Sequence, residues 1–443
     1  MPVPGLTASV PSPQRAAAQP GLPWLSVAAQ RIVDSSGRSV ILRGFNDDAL
    51  LESTVNPAPL DATDATLMGR SGFDVVRLPI AWSLLEPKPG QFDFAYIARI
   101  AAAVQLLNEH NLYVVLDMHF LGWSPVYGGS GAPAWATVSG VPDPVWGGMP
   151  SLGRFLSPAI NVSTANFWLS QSLQQDYIDA WRTLAQRFRQ DSGVAGYDLM
   201  NEPHSFPLPP IRFDKDQLFP FYARAVSGIG AADPNHLFFL DNDMAGDLPT
   251  AVVPLSAPNL VYAPHVYTGS LIPPQFTGDA GPLRTHIDEL ASEAATVPAA
   301  LWFGEFDIDF HLPLSTKWIA AAVDAFSQHS SGWAWWQWRE SSGYGVRSYD
   351  GSAVDTGLLH ALARPYVEAA SPGVSSSPQG ADGLLISVPA GAGDSLEVAW
   401  PAYLDGAPNV TSTCGAGASW DRGVARLSVA VPAGGACAIS VLR

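Results

Sequence analysis

Residues 112–119 read LYVVLDMH, a short apolar segment that ends in polar side chains. Its middle, residues 114–116, is continuously apolar rather than alternating, and residues 237–240, LFFL, show the same pattern. Strands that are buried on both faces have this pattern, which is typical of parallel sheets. The segment therefore predicts an α/β protein in which helices cover a parallel sheet.

Segments of this kind recur along the chain and alternate with helical patterns. The predicted strands are residues 40–44, 74–80, 112–119, 196–201, 236–241, 260–265, 300–305 and 332–338. The predicted helices are residues 96–108, 173–189, 219–230, 283–295 and 315–328. Eight strands that alternate with helices predict a (β/α)8 TIM barrel. A doubly wound sheet is the alternative, but residues 41–50 lack the Gly-rich first turn of that fold.

The two ends of the 443-residue chain differ in composition from its middle. Residues 1–29 predict a flexible leader, and residues 30–370 are assigned to the catalytic barrel, whose bottom a hairpin around residues 34–37 is expected to plug. The Ser-, Pro- and Gly-rich residues 371–383 predict a linker. Residues 384–443 hold short alternating strands and predict a small antiparallel β-sandwich.

Charge and hydropathy exclude several classes of function. Lys and Arg number 23 against 40 Asp and Glu, and the net charge of −17 would repel the phosphates of nucleic acid. The chain has no run of about 18 apolar residues, so it predicts no membrane-spanning helix.

Cys414 and Cys437 lie in one short segment and suit a disulfide in an oxidising compartment, with two free thiols as the alternative. We expect a secreted monomer.

Polar or aromatic side chains stand at the C-terminal ends of six of the eight predicted strands. In a TIM barrel these ends form the mouth that carries the active site. The candidates are Arg77, Asp117, His119, Asn201, Glu202, His265, Tyr267, Glu305 and the tryptophans between residues 333 and 338. Asn201 can hydrogen-bond a sugar 2-hydroxyl, and His119 and His265 can hold hydroxyls or tune Glu202.

Two of these candidates, Glu202 and Glu305, follow strands four and seven, which lie nearly opposite in the ring. Glycoside hydrolysis needs two carboxyl groups that flank the scissile bond. We assign Glu305 as the nucleophile because Arg77 and Tyr267 can keep it ionised. We assign Glu202 as the general acid/base because a nearby anion favours its protonated form. A plain ion pair between each Glu and an Arg is the alternative.

Metal and serine chemistry explain the same residues less well. His119, His204 and His265 could meet in space, but the chain has no His-Glu-x-x-His pattern, and Asn201 and Glu202 would have no role. Residues 128–131, GGSG, indicate a loop and not a nucleophile elbow. We therefore predict no metal and no cofactor.

Two motifs resemble glycoside hydrolase family 5, in clan A. Asn201-Glu202-Pro203 is similar to the strand-four motif of that family, and Gly304-Glu305-Phe306 to its nucleophile context. The resemblance extends over residues 30–370 and implies a retaining β-glycosidase on a TIM barrel. The supporting residues that it implies are Arg77, His119, His265, Tyr267 and Trp336, with Trp338 as a second candidate for the strand-eight tryptophan.

Within that family the chain most resembles bacterial endoglycoceramidases. Residues 41–46 (ILRGFN), 115–119 (VLDMH) and 131–137 (GAPAWAT) carry this likeness. The resemblance implies a secreted enzyme that cleaves the β-bond between oligosaccharide and ceramide with retention and without a metal. The implied partner is a glycosphingolipid.

Two loops depart from that pattern and leave other substrates open. Residues 47–52 (DDALLE) contain no Lys where relatives that accept ganglio- and lacto-type sugars carry one, and residues 338–344 also differ. The alternatives are an endo-β-galactosylceramidase for 6-linked galactose chains, a β-1,4-glucan endo-hydrolase, and a non-catalytic sugar-binding protein.

A glycolipid would need an apolar track at the mouth. The long segment 121–165 follows strand three and is expected to be a functional loop that offers this track together with residues 206–213. The track residues are Leu121, Trp123, Val126, Tyr127, Trp146, Met149, Phe155, Phe206, Leu208, Ile211 and Phe213. Such a surface would allow transient contact with lipid, and its alternative is ordinary loop packing.

Overall fold

The computed structural model describes residues 21–52, 58–143, 157–205, 208, 210–244, 250–272, 274–341, 343–380, 382–392 and 395–443. The barrel strands are β4 (Leu42–Asn46), β5 (Val75–Ile80), β6 (Tyr113–Met118), β7 (Val194–Asp198), β8 (Leu237–Leu240), β9 (Leu260–Tyr262), β10 (His265–Val266), β11 (Ala300–Leu301), β12 (Glu305–Phe306) and β13 (Gly332–Trp335). The other strands are β1 (Leu25–Ala28), β2 (Arg31–Asp34), β3 (Ser39–Val40), β14 (Tyr366–Ala370), β15 (Ser375–Gln379), β16 (Gly383–Val388), β17 (Ser395–Ala399), β18 (Asn409–Ser412), β19 (Gly417–Asp421), β20 (Arg426–Ala430) and β21 (Cys437–Leu442).

Helices cover the barrel from outside. They are α1 (Ala62–Arg70), α2 (Trp82–Leu85), α3 (Phe94–Asn108), α4 (Pro158–Leu169), α5 (Gln171–Phe188), α6 (Pro210–Phe213), α7 (Phe219–Gly230), α8 (Gly281–Thr296), α9 (Ser315–His329) and α10 (Thr356–Leu362). A π-helical turn, Asp214–Leu218, joins α6 to α7. Among the described helices, none is long and apolar enough to cross a membrane.

The barrel closes through parallel pairing alone. Its strand order is β11-β9-β8-β7-β6-β5-β4-β13, and a parallel bridge between Phe303 and Trp333 joins the two ends. The short pair β10 and β12 extends two strands toward the mouth and sets His265 level with Glu305. The predicted TIM barrel is confirmed, and each predicted barrel strand has a counterpart in the structure.

Two apolar cores hold this barrel together. Side chains such as Leu42, Val115 and Phe239 fill its interior, while a larger core lies between the strands and the helices. Helix α5 shows why the sequence folds this way, because its apolar residues recur at helical spacing and are buried. Continuous apolar strands bury both faces, and each fully buried large side chain contributes about 1.5–3 kcal/mol of hydrophobic free energy.

The bottom of the barrel is continuous with the C-terminal domain. One sheet runs β1-β2-β3-β14-β17-β20-β19, and a second sheet, β15-β16-β21-β18, packs on its C-terminal part. Because β14 pairs with both β3 and β17, the predicted hairpin and the predicted sandwich share one sheet. A disulfide joins Cys414 to Cys437.

Three predictions of local structure were wrong. The predicted leader contains β1, which pairs with β2 and buries Leu25, and residues 1–20 lie outside the described residues. The predicted linker contains β15, which pairs with β16 over five residues. The predicted loop 121–165 ends inside helix α4. In each case tertiary pairing or packing orders a segment whose composition alone favours a loop.

A buried ion pair fastens the two parts of the chain. Arg426 on β20 places its Nε 2.6 Å from Glu368 Oε2 on β14, and both side chains are more than four-fifths buried. Burial raises the pKa of Glu368, while the charge of Arg426 opposes that shift.

We expect Arg426→Met to lower the free energy of unfolding by about 2–4 kcal/mol, because it leaves the buried Glu368 carboxylate without its partner. Chemical denaturation measures this loss. The matched control is Arg422→Met, which removes a largely exposed pair with Asp405 at 3.5 Å and should change stability by less than about 0.5 kcal/mol. Equal losses in both variants would contradict the assignment.

Candidate active site

Glu202 and Glu305 meet at the mouth of the barrel. One carboxylate oxygen of each lies within 4.8 Å of the other and of a ring nitrogen of His265. Retaining glycosidases hold their carboxyl groups about 5–5.5 Å apart, whereas inverting enzymes separate them by about 6.5–9.5 Å to admit a water. The separation therefore fits direct attack by one carboxylate on a sugar that the other protonates.

Glu305 is held in the state that a nucleophile needs. Arg77 Nη1 donates to its Oε1 at 2.6 Å, and the Tyr267 hydroxyl donates to its Oε2 at 2.8 Å. Burial and the Glu305 charge raise the pKa of Tyr267, so the phenol keeps its proton and remains a donor. A cation and a donor on the two oxygens stabilise the carboxylate anion.

Glu202 has the opposite environment. Burial raises its pKa above the ordinary value for Glu, although the cation Arg77 opposes the shift. Its side chain remains a quarter exposed, as a group that must exchange protons with substrate and water requires. Its Oε1 lies 3.0 Å from His265 Nδ1, and its backbone N–H donates to Asp241 Oδ2 at 2.7 Å. A φ of +43° turns this residue away from the strand path.

His265 stands between the two carboxyl groups as a neutral ring. Burial lowers its pKa to about 3. Its Nδ1 also lies 3.4 Å from Glu305 Oε2, and its Nε2 lies 3.2 Å from Asp241 Oδ2. Close packing explains the glycine before the nucleophile, because a Cβ at Gly304 would lie 3.1 Å from the His265 ring.

The guanidinium of Arg77 on β5 joins groups from four other barrel strands. Its partners are Asn46 Oδ1 (3.0 Å), Asp117 Oδ1 (3.1 Å), Asp198 Oδ2 (2.8 Å), Asn201 Oδ1 (2.9 Å) and Glu305 Oε1 (2.6 Å). Burial opposes its charge, but the surrounding carboxylates outweigh that cost and raise the pKa of Arg77. The network fixes strand-end side chains that are remote in sequence.

The other predicted residues occupy distinct places around this network. Asn201 uses its Nδ2 to donate to Phe120 O at 3.1 Å, so its amide is oriented by protein on both sides. His119 Nδ1 lies 2.7 Å from Asp117 Oδ2, and its ring stacks on Trp336 with centroids 5.1 Å apart. Trp336 is partly exposed at the mouth, where an indole face can stack on a sugar ring.

Trp338 does not reach the mouth, so the suggestion that it contacts substrate was wrong. It is fully buried, its Nε1 donates to Asp64 Oδ1 at 3.0 Å, and its ring packs edge-on against Phe45. Both tryptophans follow the end of β13, where the chain has left the sheet, and the contacts with Asp64 and Phe45 hold Trp338 in the core. Cys414 and Cys437 lie in the sandwich and take no part in the site.

Sequence reasoning missed Asn46, Asp198 and Asp241. Asn46 ends β4, and Asp241 directly follows β8, which are the two strands that contributed no candidate. The rule that strand ends form the mouth would have found both. Asp198, the last residue of β7, lies within the predicted strand 196–201, but its contact with Arg77 appears only in the folded barrel.

An apolar pocket opens on one side of Glu202. Its free volume is about 20 Å³, and about 390 Å³ when the open solvent at its mouth is included. Its wall comes from the segment after β6, from α4 and from the segment after β7, and it includes Phe120, Trp123, Ile160, Trp168, Met200 and Pro203. Within the predicted track, Leu121, Val126 and Ile211 are exposed, Leu208 is half-buried, and Tyr127 and Phe213 are buried in packing. Trp146, Met149, Phe155 and Phe206 lie outside the described residues.

The ligand atoms of Glu202, His265 and Glu305 are close enough to share a cation. Glu305 already receives hydrogen bonds from Arg77 and Tyr267, and His265 Nε2 lies beside Asp241. The unequal environments of the two Glu residues suit an acid and a nucleophile better.

The sequence of residues 33–342 matches the Cellulase family (glycosyl hydrolase family 5). The chain belongs to glycosyl hydrolase family 5. The two carboxyl groups at the mouth therefore belong to a glycosidase. The family resemblance that the motifs suggested is confirmed.

Several known proteins are similar to this chain in sequence or in structure. Endoglycoceramidase I of Rhodococcus hoagii is 27% identical over 70% of this chain and 67% of its own length. Endo-glycoceramidase II from Rhodococcus sp., solved as a lactosyl-enzyme intermediate, has a TM-score of 0.81 and 25% identity over 93% of this chain and 99% of that one. The same enzyme was solved in complex with ganglioside GM3. An endogalactoceramidase has a TM-score of 0.80 and 29% identity over 95% and 100% of the two chains.

We expect Tyr267→Phe to lower kcat/KM for an aryl β-glycoside by about 10- to 100-fold, because a hydrogen bond to a charged group is worth about 1.5–3 kcal/mol. The control is Tyr262→Phe, which removes an equally short hydroxyl contact, to Glu293 at 2.6 Å, outside the barrel. That variant should lose stability and keep its turnover. Full activity of Tyr267→Phe would show that Glu305 needs no such donor.

Proposed function

We propose that the chain is a retaining endo-β-glycosidase that hydrolyses the bond between the glycan and the ceramide of glycosphingolipids. The observation that carries this proposal is the apolar pocket on the open side of Glu202, the residue that must protonate the leaving oxygen. The leaving group lies on the side of the acid, so an apolar wall there suits a lipid. The likeness to endoglycoceramidases supports the same substrate class.

The reaction proceeds by double displacement. Glu305 attacks the anomeric carbon and forms a glycosyl ester, while the proton of Glu202 passes to the leaving oxygen and ceramide departs. Glu202, now ionised, takes a proton from the incoming water, whose oxygen bonds the anomeric carbon and releases Glu305. Arg77 and Tyr267 stabilise the carboxylate that is present before and after each turnover.

Exposed apolar side chains around the pocket support contact with a lipid surface. Leu121 and Val126 lie on the segment after β6, Val162 and Leu169 on α4, and Ile211 on α6, with exposed fractions between 41% and 79%. The edge contact between Trp168 and Phe213 brings α4 and α6 together beside the pocket. Exposed apolar side chains on the elements that form or adjoin a pocket wall suit contact with a lipid.

An endo-β-galactosylceramidase is the second candidate. The endogalactoceramidase structure, at 29% identity, favours it, and both candidates share the acid, the nucleophile and the lipid pocket. A β-glucan endo-hydrolase would leave the apolar pocket without a role, and a sugar-binding protein would not need Glu202 and Glu305 in unlike environments.

We also propose that the protein is secreted and acts as a monomer at lipid surfaces. The Cys414–Cys437 disulfide supports an oxidising compartment.

A panel of glycosphingolipids and soluble β-glucans tests the proposal. We expect release of free ceramide and an intact oligosaccharide, with no cleavage of the glucans. Glu305→Gln should lower this activity by about 10⁴-fold or more, because no covalent intermediate can form. Cleavage of glucans without release of ceramide would replace the proposed substrate class, and unchanged turnover of Glu305→Gln would reject the nucleophile.

Glu202→Ala tests the acid separately. This variant should retain turnover of aryl glycosides whose leaving groups need no proton, and added azide should yield a β-glycosyl azide. Because burial raises the pKa of Glu202, the wild type should keep its protonated form to higher pH than an ordinary Glu allows. The alkaline limb of kcat/KM should therefore disappear in the variant. An α-configured azide product would contradict double displacement.

A further inference from the structure

The two halves of the barrel mouth differ in chemistry. The segments after β6 and β7 form the apolar pocket beside Glu202. Strands β12, β13 and β4 follow one another around the ring, and they lie on the side opposite β6 and β7. The segments that follow those three strands carry carboxyl groups. We call the group formed by Asp47, Asp48, Asp307 and Glu340 the acidic half.

The acidic half is continuous with the nucleophile. The carboxyl group of Asp307 follows β12 by one residue and feels the charges of Glu305 and Glu340. Gln337 donates to Glu340 Oε2 at 2.9 Å and also hydrogen-bonds Asp48, whose pKa the charge of Glu340 raises further. A glycan whose first sugar sits over Glu305 must extend away from the lipid pocket, toward this half.

Buried acceptors in this half lack donors. Asp47 Oδ2, Asp307 Oδ1 and Gln337 Oε1 receive no hydrogen bond from the described part of the chain, and their side chains are at most 3% exposed. A buried acceptor without a donor costs about 1–3 kcal/mol. Sugar hydroxyl groups are donors of the kind that these acceptors lack.

Two cations near this half bind an acid of the protein. Arg339 contributes to the electrostatics of Asp47, and its Nη2 binds the buried Asp64 carboxylate, while its Nε and Nη1 have no hydrogen-bond partner among the described residues. Arg347 Nη1 binds the other oxygen of Asp64 at 2.5 Å. Both guanidinium groups therefore hold the segment after β13 in place and face an acid of the protein.

We propose that the acidic half binds an uncharged part of the glycan and disfavours glycosphingolipids that carry an anionic substituent, such as a sialyl or sulfate group, on the second sugar. This inference rests on the proposed function and specifies its substrate class. Like charges brought close together in a partly desolvated cleft repel each other. Hydroxyl donors bind the same oxygens favourably.

The preference for a neutral over an anionic glycan should depend on pH. Burial raises the pKa of Asp48 to about 6 and those of Asp47 and Asp307 well above the usual range. Below pH 6 Asp48 takes up a proton, so repulsion of an anionic glycan should weaken. Above pH 6 Asp48 ionises, and the preference for a neutral glycan should grow.

The experiment compares kcat/KM for lactosylceramide with that for its 3′-sialyl and 3′-sulfo derivatives, in one detergent with the full-length protein. We expect about a tenfold or greater preference for lactosylceramide at pH 7, shrinking at pH 5 and in high salt. Because each ratio is taken on a single preparation, it does not depend on the fraction of active protein.

Asp48→Asn and Glu340→Gln should each shrink the ratio at pH 7, chiefly by raising kcat/KM for the anionic substrates relative to the neutral one. Asp421→Asn, on strand β19 of the sandwich, removes the same charge elsewhere and should leave the ratio unchanged. Equal cleavage of all three lipids would overturn the inference while the proposed function stands. Failure to cleave any glycosphingolipid would contradict the proposed function itself.

Discussion

The active site depends on the hydrogen bonds and ion pairs made by the fully buried guanidinium of Arg77. A buried cation is tolerated only when its donors are paired, and here three carboxylates and two amides surround it. Because these partners come from separate strands, the barrel must close in one register for the charge to be satisfied. The same contacts that neutralise Arg77 orient Glu305 and Asn201, so stability and catalytic geometry share one network.

The two carboxyl groups at the mouth have unequal environments. Glu305 faces a cation and a phenol, while Glu202 is desolvated and faces a neutral imidazole. Desolvation favours the protonated form of a carboxyl group, and donated hydrogen bonds favour the ionised form. A separation within 4.8 Å lets both act on one anomeric carbon.

The mouth as a whole is built for an amphipathic substrate. Aromatic and aliphatic side chains lie beside the acid, and unpartnered acceptors lie beyond the nucleophile. Under the proposed function, such a division would orient a glycolipid across the scissile bond, because each end of the substrate would be poorly solvated by the wrong half. The C-terminal sandwich stands at the opposite end of the barrel, where β14 ties it to the N-terminal hairpin, and it contributes stability there.

The sequence alone determined the barrel, the two glutamates that meet at its mouth and most of their partners, because continuous apolar strands and polar strand ends are local patterns. It also located the sandwich, but the strands Leu25–Ala28 and Ser375–Gln379 are ordered only by their neighbours. Tertiary structure decided which tryptophan is exposed at the mouth, Trp336 rather than Trp338, because side-chain direction follows from the way a strand leaves the sheet. It also decided the convergence of Asn46, Asp198 and Asp241 on the site, since contacts between residues remote in sequence arise only when the barrel closes.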